Sequence, residues 1–542
     1  MKKLLLVFCI FISMMSYSQK SLSTDYSYKA SQPYKVFDAS SKYYFANGNE
    51  AMTVKVHKDE VLIQKFDATK PAFLKEKLYE KRFPKNFSLE SVLELNNKYY
   101  LFYSSWDGDK EKEQLFYNEI DFKSGEFVGE PKLLFDVKGK LAGSMVAGGF
   151  MNFSVGVTDK FDFLLSHDKK NMLVQYRKKP EVKRDVNSYD IIGLHAFDGD
   201  LKNTSSNELK MPYTERRMDN LDYHLDNYGN LYLLTKVFHD DSNKDKKKKK
   251  DEEANYHLEL FMIKAGTNKI DITKFENKSK FINRLWIFDT SKDFLVAGGY
   301  FSNGKGDKSD SDGILAFKIS QDGKIYDEVY HDIPLELLNQ NESKKVVKKN
   351  EKKEKKGDGA KFTNLKLKDL VVNPDGSMIL VGEQEFITYH TSGTGNNMRT
   401  YTRHHFQDIF ISKISVSGQL DWMKKIPKSQ IGSSKGGMSY KYFNANNSHY
   451  LVFLDNVKNI DLEDDKVPAV HQDGKGGYLT SVKISDADGS YKKGSILNAR
   501  DVEDFKLHQF STNRVFKVSE NSFMFESYKK QKEDIMIKVE LN

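Results

Sequence analysis

The chain is poor in three residue types that usually announce a function. It has one cysteine, three tryptophans and ten prolines in 542 residues. The single cysteine, Cys9, lies in the leading apolar segment. The rest of the chain therefore holds no disulfide, no thiol nucleophile and no cysteine metal ligand. After that segment there is no apolar run long enough to cross a membrane as a helix. Catalytic signatures are absent too: no G-x-S-x-G elbow, no H-E-x-x-H pair and no phosphate-binding glycine-rich loop followed by Lys. Carboxylates are plentiful, but no motif singles out a pair for glycoside chemistry.

The opening stretch MKKLLLVFCIFISMMSYSQK reads as a signal peptide. Lys2 and Lys3 form its positive region and Leu4 to Ile12 its apolar core. Ser16-Tyr17-Ser18 supplies the small-x-small cleavage pattern, with Gln19 as the new first residue. Phe8 stands before Cys9 where a lipoprotein site wants a small residue. The domain reading is thus residues 1–18 as signal and 19–542 as one domain. The expected location is exported: periplasmic, extracellular or associated with an outer membrane.

The formal charge of +8 is local. KDKKKKK (244–250) and KKVVKKNEKKEKK (344–356) carry fourteen lysines against three acids. Without them and the two leading lysines, 69 basic residues face 74 acidic ones. A mildly acidic body argues against a folded nucleic-acid surface. The lysine runs lie in insertions at 239–254 and 339–361, which composition predicts to be disordered.

What the sequence has in quantity is alternation. AFKISQDGKI (316–325), ISKISVSGQL (411–420) and TSVKISDADGSY (480–491) spell strand, glycine turn, strand. Related stretches stand at 53–66, 117–128, 191–201 and 260–272, and a last copy at 534–542. Each follows a short apolar strand introduced by turn residues, such as NYGNLYLLTK (227–236) and PDGSMILVGE (374–383). Most units begin with a further strand. The pattern predicts an all-β protein, a β-propeller of four-stranded antiparallel blades, with eight blades and seven as the alternative count. The last unit stops after its third strand, and 26–38 is expected to supply the missing outer one. PAFLKEKLYEKRFPK (71–85) reads as a small helix or irregular crossover.

In such a blade the second-to-third-strand loop and the link to the next blade emerge on one rim. The long excursions (104–114, 178–188, 237–255, 301–312, 385–406, 455–475 and the link 334–361) all map there, which makes that rim the expected functional face. The richest segment is FITYHTSGTGNNMRTYTRHHFQD (386–408). Its Tyr389, His390, Arg399, Tyr401, Arg403, His404 and His405 suit stacking on a sugar or clamping an anion. His404 and His405 are adjacent on an extended strand and point to opposite faces, so they do not form one metal site. Trp106, in SSWDGDKEKEQ, is a further candidate platform. GKGDKSDSDG (304–313) lacks the first ligand and the terminal Glu of a helix–loop–helix calcium site. No metal or cofactor is expected.

FLVAGGYF, GILAFKISQDGKI and DIFISKISVSGQLDWMKKIPKSQ together resemble secreted propeller-type repeat proteins of Gram-negative bacteria, a group without assigned activity. The double glycine of AGGY does not recur as it does in kelch blades, and Asp421-Trp422 is a single occurrence. The resemblance implies a fold and an export route, with no catalytic residues to transfer. The expected function is a non-catalytic, monomeric binding or scaffolding module for an envelope protein or glycan. The alternative is a polysaccharide-active hydrolase or lyase with carboxylates at the mouth of the central channel.

Overall fold

In a computed structural model, residues 22–142, 160–179, 187–246, 253–277, 280–290, 293–304, 309–393, 398–463 and 465–542 are described. The signal segment 1–18 lies outside them, as does most of the first lysine run. The described residues form eight antiparallel sheets. In chain order, sheets one to seven occupy 41–80, 88–138, 162–214, 218–275, 281–332, 365–426 and 441–498. Each is a meander whose four principal strands lie side by side in sequence order. The short turns between third and fourth strands explain the recurring glycine. Gly323 and Gly418 sit there at φ +80° and +84°, a region other residues reach only under strain.

Sheet eight closes the ring. Its strands Val515–Ser519, Ser522–Lys530 and Glu533–Leu541 come from the C-terminus. Its outer strand, Tyr26–Ala30, comes from the N-terminus and pairs with Ile537–Leu541. Tyr34–Lys35 adds a second short pairing, to Glu533 and Asp534. The terminal pairing expected from the sequence is present.

The period of two along each strand builds the ring. Along Ser448–Asp455, Tyr450, Val452 and Leu454 pack towards sheet eight, and Leu451 and Phe453 towards sheet six. Along Lys98–Asp107, Tyr99, Leu101 and Tyr103 face sheet one, and Tyr100 and Phe102 face sheet three. Every hydrophobic cluster is shared by two consecutive sheets, and one joins sheet eight to sheet one through Met524, Met536, Ala51 and Phe66. A sheet apolar on both faces is stable only between two neighbours, and a closed ring gives each sheet two. The protein is a β-propeller.

The closing seam also buries charge. Glu526 receives Tyr34 Oη at 2.8 Å, Tyr44 Oη at 2.9 Å, Lys42 Nζ at 3.2 Å and Lys55 Nζ. Burial opposes ionisation of Glu526, but Lys55 and Lys42 outweigh it and hold the carboxyl well below its usual range. Asp534 beside it is pushed up by burial and by Glu526.

Two expectations need correction. Residues 72–80 are neither helix nor crossover but the outer strand of sheet one. As an edge strand it is exposed along most of its length, so its Lys and Glu residues leave no alternating burial pattern to read. The lysine-rich insertion 339–361 is not disordered as a whole: Lys344–Lys355 is an α-helix. Ser343 caps it by accepting from Val346 N. Lys352, Lys353 and Lys355 lie in the last turn, where the helix dipole favours cations. Val346, Val347, Asn350 and Lys353 are half-buried at helical spacing, a pattern that bulk composition hides.

Candidate functional site

The two rims differ in kind. Among the described residues, no turn on the first rim exceeds the six residues of 264–269. The other rim carries 178–188, 239–255, 303–312, 333–364, 427–440, 456–477 and 499–514. The expected segregation of long connections is therefore present, with one correction: 104–114 is no excursion, because Ser104–Asp107 and Lys112–Leu115 stay paired and leave a turn of only 108–111.

From this rim rises one hairpin. Strands Met378–Ser392 and Arg399–Ile414 are the longest among the described residues and stay paired out to Ser392 and Arg399. Their inner halves are core. Past a bulge between Glu383 and Glu385 the side chains are half-buried or exposed. The pairing register decides the faces. Phe386, Thr388, His390 and Ser392 stand opposite His405, Arg403, Tyr401 and Arg399, all on one face. Ile387, Tyr389 and Thr391 stand opposite His404, Thr402 and Thr400 on the other. Of the sequence candidates, the structure thus gathers His390, Arg399, Tyr401, Arg403 and His405, and separates Tyr389 and His404 from them. Trp106 belongs to sheet two and joins neither face. Its half-buried ring lies beneath Lys140 Nζ, 5.6 Å from the ring centre.

The first face is a flat ladder of rings. Phe386 stacks on His405 with centroids 4.5 Å apart and planes 6° from parallel. His390 stacks on Tyr401 at 5.5 Å and 18°, and the Arg403 guanidinium lies 5.6 Å from the Tyr401 ring. Thr388 Oγ1 bridges the two pairs, 2.9 Å from His390 Nε2 and 2.8 Å from His405 Nε2. One hydroxyl proton cannot serve both rings, so Thr388 donates to one and accepts from the other. Burial, with His390, Arg403 and His404 close by, holds His405 below its usual range, which favours the neutral ring. The reverse face is open and mixed: Tyr389 is 72% exposed, and Ile387 and Met398 add exposed apolar surface among threonines and His404. Phe386 and Thr388 were absent from the sequence candidates, although their parity with His390 would have placed them on its face.

The hairpin has a stiff foot. Gln430–Gly432 pairs with His404–Phe406, and His471–Gln472 extends that edge in parallel. Beneath lies a fully buried ion pair, Lys428 Nζ to Glu383 Oε1 at 2.8 Å. Ser439 Oγ donates to Glu383 Oε2 at 2.6 Å, and Lys428 also reaches Phe406 O and Gln430 Oε1. Burial lowers the Lys428 pKa against the pull of Glu383. Lys425 is held beside it by Asp408 at 3.1 Å and Glu342 at 2.9 Å, which ties the foot to the helix-bearing link. The Asp-rich turn of sheet five is likewise occupied from within, since Asp312 pairs with Lys361 and accepts from Asn303 N. Glu526 and Asp534, the carboxylates at the closing seam, are shut in by Lys42 and Lys55.

No protein-family model matches the chain, and no curated protein sequence does. Among solved structures, the chain is similar to one from a structural and mechanistic analysis of two prolyl endopeptidases, at 10% identity over 94% of this chain and 55% of that one, with a TM-score of 0.39. The β-propeller domain of the Trilobed protease from Pyrococcus furiosus matches at 8% identity over 85% and 99%, with a TM-score of 0.33. The acylaminoacyl peptidase of Pyrococcus horikoshii matches at 9% identity over 91% and 57%, with a TM-score of 0.34. The chain spans little more than half the length of these whole peptidases. Likeness at this level transfers no site, and the propeller assignment rests on the sheet order and packing described above. Among the described residues no helix is long and apolar enough to cross a membrane.

Proposed function

We propose that this protein is an exported, non-catalytic binding or scaffolding module of the cell envelope, and that the hairpin Glu385–Phe406 on its long-loop rim is the principal contact for an envelope protein or glycan. The observation that carries the reading is the hairpin itself. It sets a stacked Phe–His and His–Tyr ladder with flanking arginines on a projection whose foot is locked by a buried ion pair. Pre-organised aromatic and arginine groups on a rigid support are what contact surfaces concentrate. The basic helix Lys344–Lys355 on the same rim adds attraction for an acidic partner.

The test replaces 387–404 by Asn-Gly. Phe386 and His405 are directly opposed, so a two-residue turn between them keeps the register. The mature chain, 19–542, and this variant are used side by side to capture partners from envelope extract. Loss of a specific protein or glycan with the variant is expected. Equal capture by both would refute the hairpin as the contact.

A further inference from the structure

The same rim holds a second feature that the hairpin does not use. Between sheets seven and eight, three long connections (427–440, 456–477 and 499–514) enclose a cavity of about 380 Å³. That lies within the roughly 300–1,000 Å³ usual for small-ligand sites. Its walls include Arg500, His508, Arg514 and Asp473, with Leu454 and Phe510 as apolar surface.

The polar groups are held in place before any ligand arrives. Arg500 donates through one terminal nitrogen to Leu507 O at 2.8 Å and through the other to Gly474 O at 2.6 Å. It also lies 3.0 Å from His508 Nδ1. Arginine only donates, so His508 Nδ1 accepts and the neutral ring carries its proton on Nε2. Arg500, Lys530 and Lys506 around His508 add to burial in holding it below its ordinary value, so the neutral ring prevails near pH 7. The close packing of Arg500 depends on Gly476: at φ +90°, a Cβ there would meet the Arg500 side chain at 2.7 Å. Arg514 stands close enough to the buried Glu526 and Asp534 to favour their ionised forms, but those carboxylates do not satisfy its whole fork. Its Nη1 is buried and has no hydrogen-bond partner among the described residues. A buried guanidinium nitrogen without an acceptor is costly, and cavities that retain one commonly receive the acceptor from outside. Asp473 also lines the cavity, and its Oδ1 accepts Gly437 N–H at 3.1 Å. As an ionised acid it is an acceptor only, suited to ligand hydroxyls.

From this arrangement we infer that the cavity between sheets seven and eight binds a small hydroxylated carboxylate of the sugar-acid class, its oxyanion on Arg514 and His508 and its hydroxyls on Asp473. The two arginines against one aspartate leave net positive charge, which suits a single anionic group. The site is separate from the hairpin and does not rest on the reading given to it.

Calorimetric titration of the mature chain with glucuronate, glucose and inorganic phosphate tests the inference. Saturable one-to-one binding of glucuronate is expected, with no binding of glucose. Arg514→Gln should weaken glucuronate about tenfold or more, the scale of one charge-assisted hydrogen bond. Ser511→Glu, which puts a negative charge on the wall without touching the Arg500 contacts, should do the same. The 387–404 replacement should bind glucuronate as the parent does, so the two proposals fail separately. Circular dichroism and melting temperature check that each variant is folded. Absence of saturable glucuronate binding would overturn the inference. So would binding of phosphate alone, equal binding of glucose, or undiminished affinity in both folded wall variants.

Discussion

The two rims are made of the same chain and the same strands, yet they are built on different terms. On the short-turn rim, several turns are tied to the next sheet. Asn96 N donates to Lys169 O at 2.8 Å, Asn171 Nδ2 to Asn227 O at 3.0 Å, and Asn227 N to Asp289 Oδ2 at 3.1 Å. Farther round, Lys413 and His449 both reach Asp486. These turns act as stitches, and their Asn, Asp and Gly content serves geometry. On the long-loop rim the connections run past the sheets, fold on themselves, and leave rings, guanidiniums and a cavity facing outward. A residue of one type therefore means different things on the two rims. Asp486 is a stitch, and Asp473 lines an open site.

The ring on which both rims depend is held by the terminal pairing. Removing 22–35 deletes the outer strand of sheet eight along with Tyr26 and Tyr34, and should cost roughly 5 kcal/mol or more. Loss of a cooperative urea transition would show it, and an unchanged midpoint would mean that the seam does not close the ring.

Next comes the foot of the hairpin. Lys428→Ala leaves Glu383 buried without its close ion-pair partner, with only Ser439 Oγ and Lys368 Nζ at 4.0 Å to offset its charge, and should destabilise by about 3–5 kcal/mol. Urea melts of the variant measure this, and a cost near zero would mean that the pair is not the support described here.

On the short-turn rim, burial, reinforced by Asp226 and opposed by the Asn227 N–H, raises Asp289 to about 6. A folded acid raised above its unfolded value binds more protons in the folded state. The contribution of Asp289 to stability should therefore fall as pH rises from about 4 to about 6 and level off above. Asp289→Asn removes this titration. Relative to wild type, the variant should gain about 1–2 kcal/mol between pH 4 and pH 7. A constant difference between the two proteins across that range would contradict the assignment.

Gly418→Ala, on the same rim, forces a side chain into a left-handed turn with its Cβ 2.9 Å from Val329. About 1–2 kcal/mol should be lost, read as a lower melting temperature. Smallest of all, replacing 387–404 by Asn-Gly should change stability by less than about 0.5 kcal/mol, because those side chains are outside the core. A large loss would show that the projection is structural after all.

Much of the architecture was legible because alternation is a local signal. An apolar residue at every second position, a glycine where a tight turn needs positive φ, and eight recurrences are all visible without coordinates. The outer strand at 72–80 and the helix at 344–355 were not, because charged side chains on solvent-facing elements weaken the hydrophobic pattern and make order look like disorder. The candidate site was half legible. Composition pointed to 386–408, and strand alternation already separated His404 from His405. Which residues share a face with His390 required the pairing register, and the bulge at Glu383/Glu385 shifts that register. Arg500, His508 and Arg514 carry no motif at all. They meet because three connections from different parts of the chain converge between two sheets.

By itself, then, the sequence determined strands, turns, the rim that takes the insertions, and the need of the last unit for a strand from the N-terminus. These follow from steric and burial rules acting over a few residues. Tertiary structure alone decided which side of each strand meets which neighbour, which charges are buried in pairs, and where a guanidinium nitrogen is buried without a hydrogen-bond partner beside a cavity. Those depend on the closing of a ring that brings residue 26 to residue 541, and no local pattern encodes that distance.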